Sequence, residues 1–291
     1  MEYPMKLNTP LRYPGGKNKL SGFIKLIFEQ NNLLDGHYVE LYAGGAGIAI
    51  NLLTRGYASC IHLNDANPAI YAFWHSVINQ PEALCKAIHD VEITMKEWQR
   101  QKAILDFPAS HSPLEVGFSI FFLNRINRLG ILWGGSADGV NQDCHWKLDA
   151  RFDKVDLIRR IEWIALYRSQ VHLYNQNAAD FIKTVLPVLP GKTLIYIDLP
   201  SFVKGRRLYE NHNLHNDHIS IAELVKQHIT QHWIVSCDNN PEIIEMYKGY
   251  PTTICDFNHN VRHHSKDSKI MFFSKKLIIP SLKNPLNLKS A

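Results

Sequence analysis

Short apolar runs, separated by polar turns, recur along the chain and predict the strands of an α/β protein. These runs occupy residues 37–42, 61–65, 171–174, 193–197, 233–236 and 269–273. An apolar helical run covers residues 48–53, and a second helix is expected over residues 217–227. Strands that alternate with helices are typical of a mostly parallel sheet. We therefore expect two parts of the chain to share one sheet and to contribute to one crevice.

The region from about residue 68 to residue 163 has a different pattern. Helical patterns extend from Pro81 to Leu105, the apolar segment 118–123 follows, and residues 130–142 are rich in turn formers. No alternation of strands and helices survives there. We expect a mainly helical insertion that carries a glycine-rich hairpin, in which residues 131–135 return through residues 145–148.

The composition is that of an ordinary globular protein, with 45% hydrophobic and 20% charged residues and a formal net charge of +5. The 291 residues suffice for one large domain or two modest ones. The five cysteines lie far apart without a C-x-x-C pair, which argues against a disulfide framework and suits a reducing compartment. No run approaches the roughly 18 apolar residues of a membrane span, so we expect a cytoplasmic protein with no membrane partner.

A glycine-rich turn, Ala43–Gly47, follows the first predicted strand and leads directly into an apolar helix. Glycines at this place let the backbone pass close to a ligand, and the free N–H groups of the helix can hold a polar group. A tight strand-to-helix turn without a ligand explains the same pattern equally well.

Two carboxylates stand at the ends of later predicted strands. Asp65 lies about twenty residues beyond the glycine turn, at the distance where doubly wound sheets place an acceptor for ribose hydroxyls. A helix cap by Asp65 or Asn67 is the alternative. Asp198 ends the apolar run 193–197, where open α/β sheets place their chemistry. Together these features favour a site for a nucleoside-containing cofactor.

Residue types that read or stack on bases surround the predicted hairpin. They are Asn124, Arg125, Asn127, Arg128 and Trp133. Caps and core packing are the alternative roles for them. The last 30 residues carry seven Lys and Arg against one Asp, which suits a polyanion but is also common on a solvated surface.

Two groups of histidines raise the question of a metal site. Neither group has Cys or carboxylate partners at ligand spacing, so we predict no metal. A hydrolase built on Ser201 is disfavoured because the sequence has no G-x-S-x-G elbow. The histidines concerned are His212, His215, His218, His259, His263 and His264.

Taken in order, several short motifs resemble the Dam-type family of adenine-specific DNA methyltransferases. The resemblance covers nearly the whole chain and implies a Rossmann-like, S-adenosylmethionine-dependent methyltransferase fold with a mainly helical insertion carrying a β-hairpin. Residues 1–67 and 164–291 would form the cofactor-binding catalytic domain, and residues 68–163 would form the target-recognition insertion. The motifs are LRYPGGK at 11–17, the loop 40–47, Asp65, Asn124-Arg125, Asp180-Phe181 and the tetrapeptide 198–201.

The resemblance also implies roles for individual residues. The catalytic tetrapeptide would be Asp198, Leu199, Pro200 and Ser201. S-adenosylmethionine would contact Tyr13, Lys17, Glu40, Tyr42, Ala43, Gly44, Gly45, Gly47, Asp65, Asp180, Phe181 and Asp198. Duplex DNA would contact Asn124, Arg125, Asn127, Arg128, Trp133, Lys204, Arg206 and Arg207.

The tetrapeptide departs from the Asp-Pro-Pro-Tyr pattern of the family at Leu199 and Ser201. The family chemistry flips the target adenine out of the duplex, accepts its amine hydrogens on the aspartate and the next carbonyl, and stacks an aromatic ring on the base. Leu199 lacks the ring that fixes the φ angle of proline, and Ser201 has no stacking face. Phe202 follows directly, although adjacent side chains usually point in different directions.

Three hypotheses follow from these observations. The first is a site-specific DNA methyltransferase that acts on the exocyclic amine of adenine. The second, motivated by Leu199 and Ser201, is an impaired pseudoenzyme of the same family that binds S-adenosylmethionine and DNA. The third is an unrelated nucleotide-dependent α/β enzyme. The resemblance also implies a role in restriction-modification, with an accompanying restriction endonuclease or defence-system partner.

Overall fold

The computed structural model describes residues 9–12, 20–127, 149–200, 214–256 and 268–281. The strands are β1 (Gly36–Glu40), β2 (Ala58–Asn64), β3 (Val171–Tyr174), β4 (Thr193–Asp198), β5 (His232–Asp238), β6 (Thr252–Asp256) and β7 (Ser268–Phe273). The helices are α1 (Ser21–Gln30), α2 (Gly47–Thr54), α3 (Pro68–Asn79), α4 (Pro81–Asp90), α5 (Met95–Asp106), α6 (Pro113–Ile126), α7 (Lys154–Ala165), α8 (Ala178–Thr184), α9 (Leu214–His228) and α10 (Pro241–Met246).

The described strands form one sheet in the order β3-β2-β1-β4-β5-β7-β6. Strands β1 to β5 run parallel, and β7 lies antiparallel between β5 and β6. The strands expected from the apolar runs are confirmed. Strand β6 was missed because it is an edge strand whose side chains are alternately exposed, with Ile254 open to solvent, so it has no continuous apolar run.

Each face of the sheet carries its own apolar cluster. Alternate residues of β1 show this, because Tyr38 belongs to one cluster and Val39 to the other. The Tyr38 cluster takes in side chains of α1 to α7, whereas the Val39 cluster takes in side chains of α8, α9 and α10. The sheet therefore holds the two parts of the chain around shared apolar layers.

Helices from the expected insertion pack on the Tyr38 face. Phe73 of α3 stacks on Phe121 of α6 with 5.8 Å between ring centroids. The two helices approach closely at Gly117, where a Cβ would lie 2.6 Å from the carbonyl oxygen of Ala72, so a larger residue would push them apart. The helical character of this region is as expected, while its boundaries at residues 68 and 163 stay a prediction.

The expected hairpin, residues 131–148, lies outside the described residues. In the described ranges, no helix combines the length and the apolar character needed to cross a membrane. Nor do the described side chains include three or more His, Cys, Asp or Glu grouped so that they could hold a metal ion.

Candidate active site

The carboxyl ends of the parallel strands define the candidate site. Moving along the chain, β1 is followed by β2 on one side, whereas β4 joins β1 on the other side. The strand order therefore reverses between β1 and β4, and open α/β sheets bind their ligands in the crevice at such a point. The glycine turn after β1 and Asp198 at the end of β4 flank this position.

The glycine turn is held in a strained backbone conformation. Gly44 has a φ of +48°, and Ala46, which precedes α2, has a φ of +46°. For a residue with a Cβ, this left-handed conformation costs roughly 1–2 kcal/mol. Ala46 thus holds a sparsely populated conformation directly before α2, and residues in such conformations cluster at ligand-binding sites.

A buried carboxylate occupies the N-terminus of α2. The Oε1 atom of Glu40 accepts a hydrogen bond of 3.0 Å from the backbone N–H of Ala49, in the first turn of that helix. Negative charge is favoured at this end of a helix. Glu40 thus fills, with a carboxylate of the protein itself, the place where many nucleotide-binding folds hold a phosphate.

Asp65 connects the glycine turn to the end of β2. Its Oδ2 accepts from the backbone N–H of Gly44 at 2.9 Å, and its Oδ1 accepts from the N–H of Asn67 at 3.0 Å. Asn67 is itself the residue that caps α3, because its side chain accepts from Ala69 N–H at 2.9 Å. The carboxylate of Asp65 therefore lies at the glycine turn, and its contact with a ribose stays a prediction.

Two further side chains that sequence reasoning missed fix the shape of this edge. Buried Asn64 donates to the carbonyl oxygens of Leu41 (3.1 Å) and Gln176 (3.0 Å), and thereby joins the segments that follow β1 and β3. The indole N–H of Trp74 donates to the carbonyl oxygen of Gly44 at 2.9 Å. For Asn64, the sequence does offer a signal, namely an asparagine at the end of an apolar strand.

Asp180 and Phe181 lie in the first turn of α8, which follows β3. Asp180 is exposed, and its carboxylate accepts a hydrogen bond of 2.5 Å from the Asn177 side chain that caps the helix. Phe181 is fully buried against Tyr174, with 5.1 Å between ring centroids. Of the two, only Asp180 presents its side chain to the solvent side of the edge.

Ser236 and Lys269 both donate to the carboxylate of Asp198. Its Oδ1 accepts from the Ser236 hydroxyl at 2.5 Å and from the Lys269 ammonium at 2.8 Å. The Asp198 side chain is 9% exposed and that of Lys269 is 26% exposed. Ser236 and Lys269 lie 38 and 71 residues further along the chain. Sequence reasoning missed both, because it counted Lys269 only within the basic terminal segment.

A buried tyrosine extends this network. The Ser236 hydroxyl lies 2.8 Å from the hydroxyl of Tyr196. Since Ser236 donates to Asp198, Tyr196 donates to Ser236. Burial raises the pKa of Tyr196 well above its usual value, and the charge of Asp198 raises it further. Tyr196 therefore stays protonated and supports Asp198 through a chain of hydrogen bonds.

Leu199 has a defined structural role in this chain. Its side chain is buried in the Val39 cluster, and its backbone N–H donates to the carbonyl oxygen of Ser236 at 2.9 Å. A proline at this position would lack that N–H. The departure from the family pattern thus adds one hydrogen bond between β4 and β5. Pro200 is partly buried.

Asn124 and Asn127 of the expected DNA-binding set point into the protein. The side chain of Asn124 makes two 2.7 Å hydrogen bonds to the backbone of Arg12, one as acceptor and one as donor. Asn127 accepts from the indole N–H of Trp98 at 2.7 Å. Both asparagines are buried, which favours the alternative of core packing over base reading for these two.

The remaining predicted residues fall into two groups. Tyr42, Ala43 and Gly45 belong to the turn between β1 and α2, Gly47 begins α2, and Arg125 lies in the last turn of α6. The others lie outside the described residues, namely Tyr13, Lys17, Arg128, Trp133, Ser201, Lys204, Arg206 and Arg207.

Comparison with known proteins identifies one family. The sequence profile of the D12 class N6 adenine-specific DNA methyltransferases matches residues 13–261. No curated protein sequence matches the chain. Among solved structures, the rRNA methyltransferase aviRa from Streptomyces viridochromogenes is 12% identical, with 93% of this chain and 94% of that chain covered and a TM-score of 0.39.

A second solved structure is similarly distant. The protein LPL1258 from Legionella pneumophila is 13% identical, with 90% of this chain and 86% of that chain covered and a TM-score of 0.33. At such TM-scores neither likeness adds to the assignment, which rests on the sheet and on the family match.

The sheet of seven described strands with an antiparallel β7, together with the glycine turn after β1, defines a Rossmann-like methyltransferase fold. The match over residues 13–261 then identifies the particular family. This chain belongs to the D12 class N6 adenine-specific DNA methyltransferases.

Proposed function

We propose that the protein transfers a methyl group from S-adenosylmethionine to the exocyclic amine of adenine in duplex DNA, in the cytoplasm. The observation that carries the proposal is the placement of Asp198. Its carboxylate ends β4 beside the glycine turn and is oriented by Ser236 and Lys269. The exocyclic amine of adenine needs a hydrogen-bond acceptor in a fixed position. The carboxylate of Asp198 provides one at the point where the strand order reverses.

The charge of the turn supports S-adenosylmethionine over a dinucleotide. A phosphate near the N-terminus of α2 would meet the buried carboxylate of Glu40. S-adenosylmethionine carries no phosphate, and its sulfonium and amino groups are cationic. Asp65 would accept from the ribose hydroxyls, and the turn around Gly44 and Asp180 would line the rest of the site. These observations disfavour an unrelated enzyme that binds a phosphate-bearing nucleotide.

The chemistry needs positioning more than covalent help. When bound, S-adenosylmethionine supplies the methyl group: a nitrogen–carbon bond forms as the sulfur–carbon bond breaks, the sulfur keeps the electron pair of the broken bond, and the methylated nitrogen releases one proton to water. The exocyclic amine of the flipped adenine would donate one hydrogen bond to the carboxylate of Asp198 and a second to the carbonyl oxygen of Leu199. Because Asp198 is already fixed by Ser236 and Lys269, little reorganisation is needed at the moment of transfer.

The alternative is an impaired member of the family that binds cofactor and DNA but transfers slowly. Ser201 in place of the family tyrosine motivates it. Tritiated S-adenosylmethionine with mixed duplex DNA, together with calorimetry of cofactor binding, distinguishes the cases. Label transfer supports the enzyme, binding without transfer supports the impaired member, and absence of both would reject the proposal.

Replacing Asp65 by alanine is expected to weaken cofactor binding. The change removes the acceptor for the ribose and also the acceptor for Gly44 N–H, and the loss should be about 1–3 kcal/mol. Calorimetry with S-adenosylmethionine measures it. Asp106→Ala, at the exposed end of α5, is the control and should leave the affinity unchanged. Equal affinities for the two variants would place the cofactor elsewhere.

Replacing Lys269 by methionine is expected to destabilise the fold. Removing one partner of a buried ion pair costs about 3–5 kcal/mol. Because Lys269 is 26% exposed, we expect only about 1–3 kcal/mol. Urea unfolding measures the change. Lys248→Met is the matched control, since Lys248 pairs with Glu245 at 2.9 Å but is 76% exposed.

The double variant Lys269→Met with Asp198→Asn completes the test of this pair. It should recover part of the lost free energy of unfolding, because it leaves no buried carboxylate without its cation. If Lys269→Met and Lys248→Met change the free energy of unfolding equally, the buried pair does not stabilise the site.

A further inference from the structure

Lys269 lies at the crevice edge of the sheet, on the same face as the carboxylate of Asp198. Asp198 of β4 pairs in register with Ser236 of β5. Lys269 of β7 pairs with Asp238, which lies two residues further along β5. Because alternate residues of a strand point to the same face of a sheet, the side chains of Asp198, Ser236 and Lys269 share one face. The ammonium of Lys269 thus reaches Asp198 Oδ1 across β5, at 2.8 Å.

The two donors to Asp198 Oδ1 approach it from different sides. Ser236 is buried and donates from within the protein, where the hydroxyl of Tyr196 supports it. The side chain of Lys269 is more exposed than that of Asp198, at 26% against 9%. The ammonium therefore lies on the open side of the carboxylate, where a ligand that enters the crevice would arrive.

The ammonium of Lys269 has more hydrogen bonds to donate than Asp198 accepts from it. An ammonium has three N–H donors. Among the residues that the structure describes, Lys269 donates to Asp198 and to no other acceptor. Since Ser236 already donates to the same oxygen, the orientation of the carboxylate does not by itself require Lys269. The remaining N–H groups of Lys269 are available to a ligand that binds at Asp198.

Asp198 and Lys269 together present a hydrogen-bond acceptor next to a donor. Adenine carries the complementary pair on its Watson–Crick edge, where the exocyclic amine donates and the neighbouring ring nitrogen, N1, accepts. Enzymes that flip a base out of the duplex read it by hydrogen bonds to this edge. The carboxylate and the ammonium therefore match adenine in the same pattern as the carbonyl and the N–H group of thymine do in the duplex.

We propose that Lys269 contacts the target base directly, by donating a hydrogen bond to N1 of the flipped adenine while Asp198 accepts from the exocyclic amine. The inference rests on the function proposed above. Lys269 is then a specificity-determining residue, because guanine and thymine carry an N–H group at the corresponding ring position and would direct its hydrogen at the ammonium. Cytosine also has an amine beside an accepting ring nitrogen, so other parts of the site have to exclude it.

The test replaces the target adenine by 1-deazaadenine, in which a C–H group takes the place of N1 and the amine stays. The major-groove atoms of the base are unchanged, so this substitution leaves their readout intact. The duplex carries the sequence that wild type methylates, which is located first from the tritium-labelled product. For wild type, kcat/KM should be about tenfold lower with 1-deazaadenine than with adenine, because a donor of Lys269 then faces a C–H group.

The ratio of the two kcat/KM values is then compared among variants. Lys269→Met should bring this ratio close to one, and Lys269→Arg, which keeps N–H donors, should retain part of the preference for adenine. A loss of stability lowers both rates alike, and the weaker pairing of 1-deazaadenine with thymine is common to all variants. Neither effect therefore changes the comparison of ratios.

Two further variants separate base contact from the positioning of Asp198. Ser236→Ala removes the inner donor to Asp198 but leaves Lys269 in place. It should slow transfer to both duplexes equally and retain the wild-type ratio. Lys248→Met is the matched control for the loss of a lysine, since Lys248 pairs with Glu245 on the surface. This variant should match wild type with both duplexes.

Each outcome supports the contact or rejects it. A preference for adenine that Lys269→Met abolishes and Ser236→Ala retains identifies Lys269 as the donor to N1. If wild type transfers equally well to both duplexes, or if Lys269→Met keeps the wild-type ratio, the inference is wrong and the proposed function stands.

The binding of duplex DNA extends the test to an enzyme with no measurable transfer. If wild type binds duplex DNA without transferring label, the sequence is obtained by selection for binding, and dissociation constants replace kcat/KM in the same comparison. If wild type neither binds nor methylates duplex DNA, the proposed function fails and the inference fails with it.

Discussion

Ser201→Tyr is expected to raise methyl transfer to DNA about tenfold or more. Base–aromatic stacking contributes roughly 1–3 kcal/mol per base, which corresponds to about 5- to 150-fold in holding the flipped adenine. Wild type should therefore transfer the methyl group slowly, and tritium transfer from S-adenosylmethionine to mixed duplex DNA measures the gain. Cofactor affinity must stay at the wild-type value, so that a gain reflects the target base.

The second departure in the tetrapeptide behaves differently. A proline at position 199 would restrict the loop before binding, but it would also remove the hydrogen bond from Leu199 N–H to Ser236. Leaving that buried carbonyl unsatisfied costs about 1–3 kcal/mol. We expect the double variant Leu199→Pro with Ser201→Tyr to transfer faster than wild type, to be less stable, and to show non-additive effects.

Asp198→Ala is the control for both versions of the loop, because it removes the acceptor for the amine and should abolish transfer. Wild type could instead transfer methyl groups quickly, with no increase in rate in Ser201→Tyr. In that case another ring, such as that of Phe202, stacks on the base. The impaired-enzyme alternative would then be wrong. If the double variant Leu199→Pro with Ser201→Tyr binds cofactor and DNA but transfers no methyl group, the limiting defect lies outside the tetrapeptide.

The fold is expected to lose stability in mild acid because of a buried histidine. His62 on β2 is 3% exposed, and its imidazole lies 3.0 Å from His37 Nδ1 and 3.1 Å from the Tyr174 hydroxyl. The ring of His172 stacks on it at 4.7 Å between centroids. Burial, and then the charges of His172 and His37, lower the pKa of His62 to about 3.

The sign of the effect follows from proton binding. In the unfolded chain a histidine has a pKa of about 6.5, so below that pH the unfolded state binds a proton that folded His62 does not. Stability is complete above about pH 6.5 and falls as the pH drops towards 3. His62 alone should cost about 2 kcal/mol between pH 6.5 and 5. His37, whose pKa is also lowered by burial, adds in the same direction.

Urea unfolding at several pH values checks this expectation. His62→Gln cannot titrate in this range and should show a flatter dependence of the free energy of unfolding on pH. His228→Gln, which removes an exposed histidine of α9, is the control and should follow wild type. If both variants lose stability in acid as wild type does, the acid sensitivity comes from other groups.

Much of the fold could be predicted from the sequence because its signals are local. The strands that carry the site are buried on both faces, so each forms a continuous apolar run, and the residue that ends the run is easy to recognise. This is why Asp198 and the glycine turn could be placed at strand ends. Strand β6 has no such run, since half of its side chains face solvent, and it was missed.

The sequence alone therefore determined the positions of most strands along the chain, the glycine turn, the strand-end carboxylates and the family. Only the tertiary structure decided which side chains meet those carboxylates. Ser236 reaches Asp198 because β5 lies beside β4, and Lys269 reaches it because the antiparallel β7 lies beside β5. No local pattern encodes these two pairings. Likewise, Asn124 looks like a base reader in sequence, but helix packing turns its amide onto Arg12. Contacts between residues far apart in sequence depend on how whole elements pack, and residue type and spacing do not specify this packing.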